Sequence, residues 1–126
     1  MCELRFIAPA ERPGVDPCRI EELFFEFGSA KAEELVYRVI EDLSQSLCQV
    51  HDAAFDGRAE DMHKALGRVA DRSDYIGLCS LARVAQDVRN CIEDADHVAE
   101  AATLARLARC GERSLALLWD LQDVSS

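Results

Sequence analysis

Aromatic residues make up only 6% of this chain, and proline occurs three times. Long apolar runs are missing too: none approaches the ~20 residues needed to cross a bilayer, which argues against a membrane-spanning helix. Positive charge is scarce, with 14 Lys and Arg against 24 Asp and Glu, a net charge of -10. So acidic a surface repels phosphate backbones and anionic lipid headgroups, which disfavours nucleic acid and membranes as partners. The six cysteines (Cys2, Cys18, Cys48, Cys79, Cys91 and Cys110) form no C-x-x-C pair, so zinc ribbons and dithiol redox motifs are excluded. No Gly-rich phosphate loop and no G-x-S-x-G elbow is present, so nothing points to a hydrolase or an oxidoreductase. The opening Met1-Cys2-Glu3-Leu4-Arg5 has an early acid and no apolar stretch, unlike an export signal. The expectation is therefore a cytoplasmic protein whose thiols stay reduced and act as small apolar fillers.

What is abundant is Ala, Leu, Glu and Arg, all strong helix formers. A length of 126 residues fits one domain. Residues 1–15, with Pro9, Pro13 and Gly14, read as an irregular lead, and 16–126 as a single helical domain. Asp16-Pro17 opens a short helix with Ile20, Leu23, Phe24 and Phe27 inward, stopped by Gly28. Ser29 is the expected cap of a long helix over about 30–55, with Leu35, Val36, Val39, Ile40, Leu43, Leu47 and Val50 on its apolar stripe. A third follows Gly57, with Met62, Leu66, Val69 and Ile76 inward and Gly77 at its end. A fourth spans about 79–93 on Leu81, Val84, Ala85, Val88 and Ile92, and Asp94-Ala95-Asp96 forms the turn after it. The last runs over about 97–121 on Val98, Leu104, Leu107, Leu115, Leu118 and Leu121, with Gly111 as a weak point and Trp119 as an anchor. Short connections between long amphipathic helices predict an all-α, antiparallel, up-down four-helix bundle preceded by a short N-terminal helix.

Five segments, in order, resemble the histidine-phosphotransfer (HPt) domains of bacterial phosphorelays. Val15-Asp16-Pro17 with Ile20-Glu21-Glu22-Leu23 looks like their opening helix, and Glu26-Phe27-Gly28 like its close. Gly57-Arg58-Ala59-Glu60 resembles the turn before the phosphorylated helix, and Ile76-Gly77-Leu78-Cys79-Ser80-Leu81-Ala82 the turn after it. The resemblance covers roughly residues 15–121 and implies an HPt-like bundle. The family's phosphorylated segment reads H-x-L-K-G, with a second Gly ten residues beyond the His. Gly77 matches that second Gly, and counting back ten reaches Gly67, where the family has its His. Ala70 stands in place of the Lys, and Asp71 in place of the Gly. A phosphorelay needs an imidazole nitrogen able to attack an acyl phosphate near neutral pH. Glycine has no such group, so position 67 is chemically silent, and the implied role is a binding module for a receiver domain or histidine kinase, not a phosphate carrier.

His63, one turn before Gly67 on the same helix face, is the candidate acceptor for an alternative reading as an active phosphotransfer protein. That reading slips the helix by a turn and brings Asp61 to an apolar place. Lys64, Arg68 and Arg72, at four-residue steps, form a basic strip beside them. It is either a partner-docking face or a solvated face paired with Glu60 and Asp61. The expected partner surface is His63, Lys64, Gly67, Arg68, Asp71 and Arg72, flanked by Arg83, Gln86 and Asp87 of the following helix. A third, weaker reading is a metal-binding bundle. Glu60-x-x-His63 and Asp94-x-x-His97 match parts of a di-iron pattern, but a real site needs two such units and two further Glu, all inward. Cys48-x-x-His51 offers only two ligands. No cofactor and no metal are therefore expected, and the oligomeric expectation is a monomer or weak homodimer.

Overall fold

The computed structural model describes residues 14–125, with side chains as far as Asp120. These residues form five helices and no strand beyond one isolated bridge. Asp16 caps α1 (Pro17–Phe27): its carboxylate accepts the Cys18 N–H at 3.1 Å, and Pro17 fills a first-turn position whose missing N–H has no partner to lose. Gly28 ends α1 and is itself the N-cap of α2 (Ser29–Asp56), so Ser29 is the first helical residue and not the cap expected from sequence. Gly57 and Gly77 close α2 and α3 (Ala59–Ile76) in the left-handed conformation, where a side chain is strained. The turn over 94–96 joins α4 (Cys79–Glu93) to α5 (His97–Ser125), and the Asp96 carboxylate accepts the Ala99 N–H at 3.1 Å to cap α5.

Each helix packs on the next in the chain, and α5 returns onto α2. The apolar stripes meet in one core. Val36, Val39, Ile40, Leu43, Leu47 and Val50 face Met62, Leu66, Val69 and Ile76, with Leu81, Val84, Ala85, Val88, Leu107 and Leu118 completing it. Phe24, Leu35, Ile92, Leu104 and Leu115 are only partly covered. Two expected core residues are outside it. Phe27, 39% exposed, is the last residue before the chain turns at Gly28, and Val98, 85% exposed, lies in the first turn of α5, where residues 97–102 all keep some exposure. The Leu121 side chain lies outside the described residues. Trp119 is half-exposed and stands edge-on to Tyr37, with ring centroids 5.5 Å apart, so it anchors a surface seam of α5 on α2. Gly111 has a packing reason: a Cβ there would come 2.9 Å from Leu47 Cδ1, so its absence lets α5 approach α2.

The lead is irregular only in part. Residues 1–13 lie outside the described residues, but Val15 bridges Leu78, and the Asp16 N–H donates to the Gly77 carbonyl at 2.8 Å. Arg19 Nε donates to the Tyr75 carbonyl at 2.7 Å, and its guanidinium lies over the Tyr75 ring. These contacts tie the start of α1 to the turn between α3 and α4. The thiols are not uniformly core fillers. Cys110 is buried and Cys91 half-buried, whereas Cys18, Cys48 and Cys79 are exposed, because they fall off the apolar stripes; all five are free, and Cys2 lies outside the described residues. Among the described residues no helix is long and apolar enough to cross a membrane.

Ser73 is fully buried in α3, and its Oγ has no hydrogen-bond partner in the protein. An orphaned buried hydroxyl carries its full desolvation penalty, and Ala is also the better helix former. Ser73→Ala is expected to stabilise the fold by about 1 kcal/mol, read as a rise in melting temperature. A fall would mean that the hydroxyl has a stabilising partner after all.

Candidate functional site

The site is the outer face of α3 and the seams it makes with α2 and α4. Met62, Ala65, Leu66 and Val69 are buried, and that register turns residue 67 away from the core. Gly67 is the ninth of the eighteen residues of α3 and is half-buried. His63 lies one turn nearer the helix start, with its side chain 31% exposed. The expected surface splits in two, because residues 63 and 67 lean toward α4 while residues 68 and 72 lean toward α2.

On the α4 side, His63 Nε2 lies 2.9 Å from Glu93 Oε2. A Cβ on Gly67 would stand 3.9 Å from both Cζ and Nη1 of Arg89, so the Arg89 guanidinium lies over the bare helix at that point. Gln86 is exposed and accepts from Arg89 Nη1 at 3.5 Å. Arg83 is exposed further along α4. Asp87 does not join this surface: it pairs with Arg106 of α5 at 3.7 Å, one step round the helix from Gln86.

On the α2 side, Arg68 Nη2 donates to Gln49 Oε1 at 2.6 Å, and Arg72 Nε pairs with Asp42 Oδ2 at 3.2 Å. Lys64 reaches Glu60 at 3.6 Å, as the solvated-face reading expected, but Asp61 pairs with Arg58 at 2.9 Å and not with the strip. The hydrogen bond to Asp61 first, and the contact with Asp56 at 3.2 Å, raise the pKa of the exposed Arg58 guanidinium above its ordinary value. A polar groove of about 330 Å³ runs here, lined by Gln49, Asp52, Arg58, Asp61, Lys64 and Arg68. Asp71 is exposed on the crest between the two seams.

Gly67 offers no nucleophile, and Ala70 and Asp71 add no positive charge beside it. A phosphoryl group approaching Nε2 of His63 would meet the Glu93 carboxylate, whose charge repels it. The metal patterns come apart: Glu60 turns to Lys64, His63 to Glu93, and His97 sits exposed beside Glu100 at 3.7 Å. Among the described residues no three His, Cys, Asp or Glu side chains could hold a metal ion together. A separate cleft of about 590 Å³, on the far side of α4, is lined by residues including Gly14, Ser80, Cys110, Arg113 and Ser114; no described imidazole or carboxylate faces it.

Arg89 and Glu93 are the two residues that sequence reasoning missed. The signal was present: Gln86, Arg89 and Glu93 fall on one helical stripe by three- and four-residue steps. A scan against protein-family models, a search of curated proteins and a search of solved structures each returned no match.

Proposed function

We propose that this protein is an HPt-like signalling module that docks on a receiver domain or a histidine kinase of a bacterial phosphorelay without carrying phosphate itself. In this reading the helices form an antiparallel up-down four-helix bundle, α2 to α5, with α1 as the short N-terminal helix. The sequential packing of α2 to α5 and the return of α5 onto α2 support that arrangement. The observation that carries the functional reading is Gly67: it occupies the middle of α3, faces outward from the core, and has no side chain to phosphorylate. The exposed Lys64 and Arg68 beside it supply positive charge for an acidic partner surface in an otherwise acidic chain. The protein works in the cytoplasm, as a monomer or weak homodimer, with no cofactor and no nucleic acid.

The second reading, an active phosphotransfer protein using His63, draws on that imidazole being reachable and one turn from Gly67. Glu93 at 2.9 Å weighs against it. One experiment separates the two. The protein is titrated against receiver domains and histidine kinases of its source organism, incubated with a phosphorylated receiver, and analysed by mass spectrometry. Saturable binding with no added phosphate is the expected result. Phosphate on His63 that disappears in His63→Ala would install the second reading, and no binding to any receiver or kinase would overturn the first.

A further inference from the structure

Among the described residues, half-buried Arg89 pairs with no acid. Some arginines of this acidic chain pair with acids, Arg58 with Asp56 and Asp61, Arg72 with Asp42 and Arg106 with Asp87, whereas exposed Arg68 bonds the uncharged Gln49. Glu93, one turn beyond Arg89, is turned to His63 instead. Among the described residues Arg89 makes one hydrogen bond, the 3.5 Å contact from Nη1 to Gln86, which lies at the long limit of such bonds. Its Nε is shut off from solvent and has no acceptor in the protein. Leaving a guanidinium N–H buried and unpaired is unfavourable, so the arrangement suits a state in which an anion is present.

Cζ and Nη1 of Arg89 lie 3.9 Å from where a Cβ on Gly67 would stand, so the guanidinium lies over the bare helix backbone at that residue. Any larger residue at 67 would project into that space. The planar fork therefore lies over α3 at its one residue without a side chain, with donor hydrogens left over from the five a guanidinium carries. Lys64, three residues before Gly67 on the same helix but turned to the α2 side and to Glu60, adds a cation at longer range. A guanidinium fork fits the oxygens of a phosphoryl group, which it can bind in bidentate fashion, and at this end of the face the Arg89 charge opposes the repulsion of the Glu93 carboxylate held at His63. A guanidinium is also no acceptor for phosphoryl transfer, since it stays protonated.

We infer that Arg89, seated over Gly67, is an oxyanion site that reads a phosphoryl group carried by the partner protein. The inference rests on the docking role proposed above and adds regulation to it: the phosphorylated partner is preferred, and the phosphate is recognised without being taken. Two measurements test it separately. In the first, the free protein is titrated with inorganic phosphate while the Arg89 Nε–H and Gly67 amide resonances are followed by NMR. Both should shift saturably, and the Gly67 amide shift, the one of the two still observable in Arg89→Gln, should vanish in that variant at equal ionic strength. Absent shifts, or shifts that persist in Arg89→Gln, overturn the site.

In the second, a receiver domain that binds the protein is compared with and without beryllofluoride, a mimic of its acyl phosphate. Affinity should rise by about tenfold with the mimic for the wild type, within the range of charge-assisted contacts, and not for Arg89→Gln. Equal affinity for both forms removes the phosphate preference while leaving the docking role intact. Absence of binding to every receiver and kinase removes the docking role, and the phosphate titration still decides the site. Arg89→Lys keeps the charge without the fork, so it distinguishes lost recognition from a folding defect should Arg89→Gln melt early; it should bind phosphate more weakly than the wild type.

Discussion

Gly77→Ala should lower the melting temperature by roughly 12 °C, whereas Gly57→Ala should lower it by only about 5 °C, taking about 4 °C per kcal/mol for a domain of this size. Both glycines end a helix in the left-handed conformation, at φ +89 and φ +73. A Cβ in that conformation costs about 1–2 kcal/mol at either position. The two differ in surroundings. A Cβ on Gly57 meets nothing within 4 Å, whereas one on Gly77 comes 3.0 Å from both the Asp16 carbonyl oxygen and Arg19 Cβ. The first of these is backbone and cannot swing aside, so overpacking adds about 2 kcal/mol. Relief by movement would pull on the Asp16 N–H to Gly77 carbonyl bond and on the Val15–Leu78 bridge, which hold the start of α1. Thermal melts of the two variants give the comparison directly. Equal drops would show that the approach of the lead to this turn does not contribute to stability.

Reversing two charges, Lys64→Glu with Arg68→Glu, should weaken binding to a receiver partner by roughly thirtyfold at low salt, on the basis of about 1 kcal/mol for each reversed surface charge. The pair is chosen because the fold barely depends on it. Lys64 has one exposed partner, Glu60 at 3.6 Å, and Arg68 bonds the uncharged Gln49. Arg72 belongs to the same strip but is a poor choice. It pairs with Asp42 at 3.2 Å, so Arg72→Glu would set two carboxylates against each other and confuse lost binding with lost stability. Salt supplies the internal control. At about 0.5 M the screening length is only a few ångströms, so wild type and double variant should converge. Calorimetric titration at two salt concentrations measures this, and an unchanged affinity at low salt would move the contact surface off this face of α3.

The helix bounds were readable because their signals are local. Asp16-Pro17 starts α1, Gly28 stops it, and Gly57, Gly77 and the 94–96 turn divide the rest. Where reading went astray, the cause was also physical. Ser29 has the chemistry of a cap, but the tight joint at Gly28 draws it into the helix. Val98 has the right period for the core, yet it lies in a first turn that no neighbour fully covers. The cysteines fit an apolar role by type, but type does not say which side of a helix a residue occupies, and Cys18, Cys48 and Cys79 face solvent.

The candidate surface was legible in its members and not in its layout. Counting along α3 turned Leu66 inward, where it is buried, and Gly67 outward, where it is half-buried beneath Arg89, because one helix has a fixed period. It also grouped His63 with Lys64, Arg68 and Arg72, which neighbouring helices divide between Glu93 on one side and Gln49 and Asp42 on the other. Sequence alone determined the helical class, the joints, the core stripes and the absence of a nucleophile at position 67, all of which follow from residue type and periodicity within a few positions. Only the tertiary structure decided that Arg89 lies over Gly67 and that Glu93 faces His63, because such meetings depend on how α4 crosses α3, and crossing geometry arises from core packing along the whole interface.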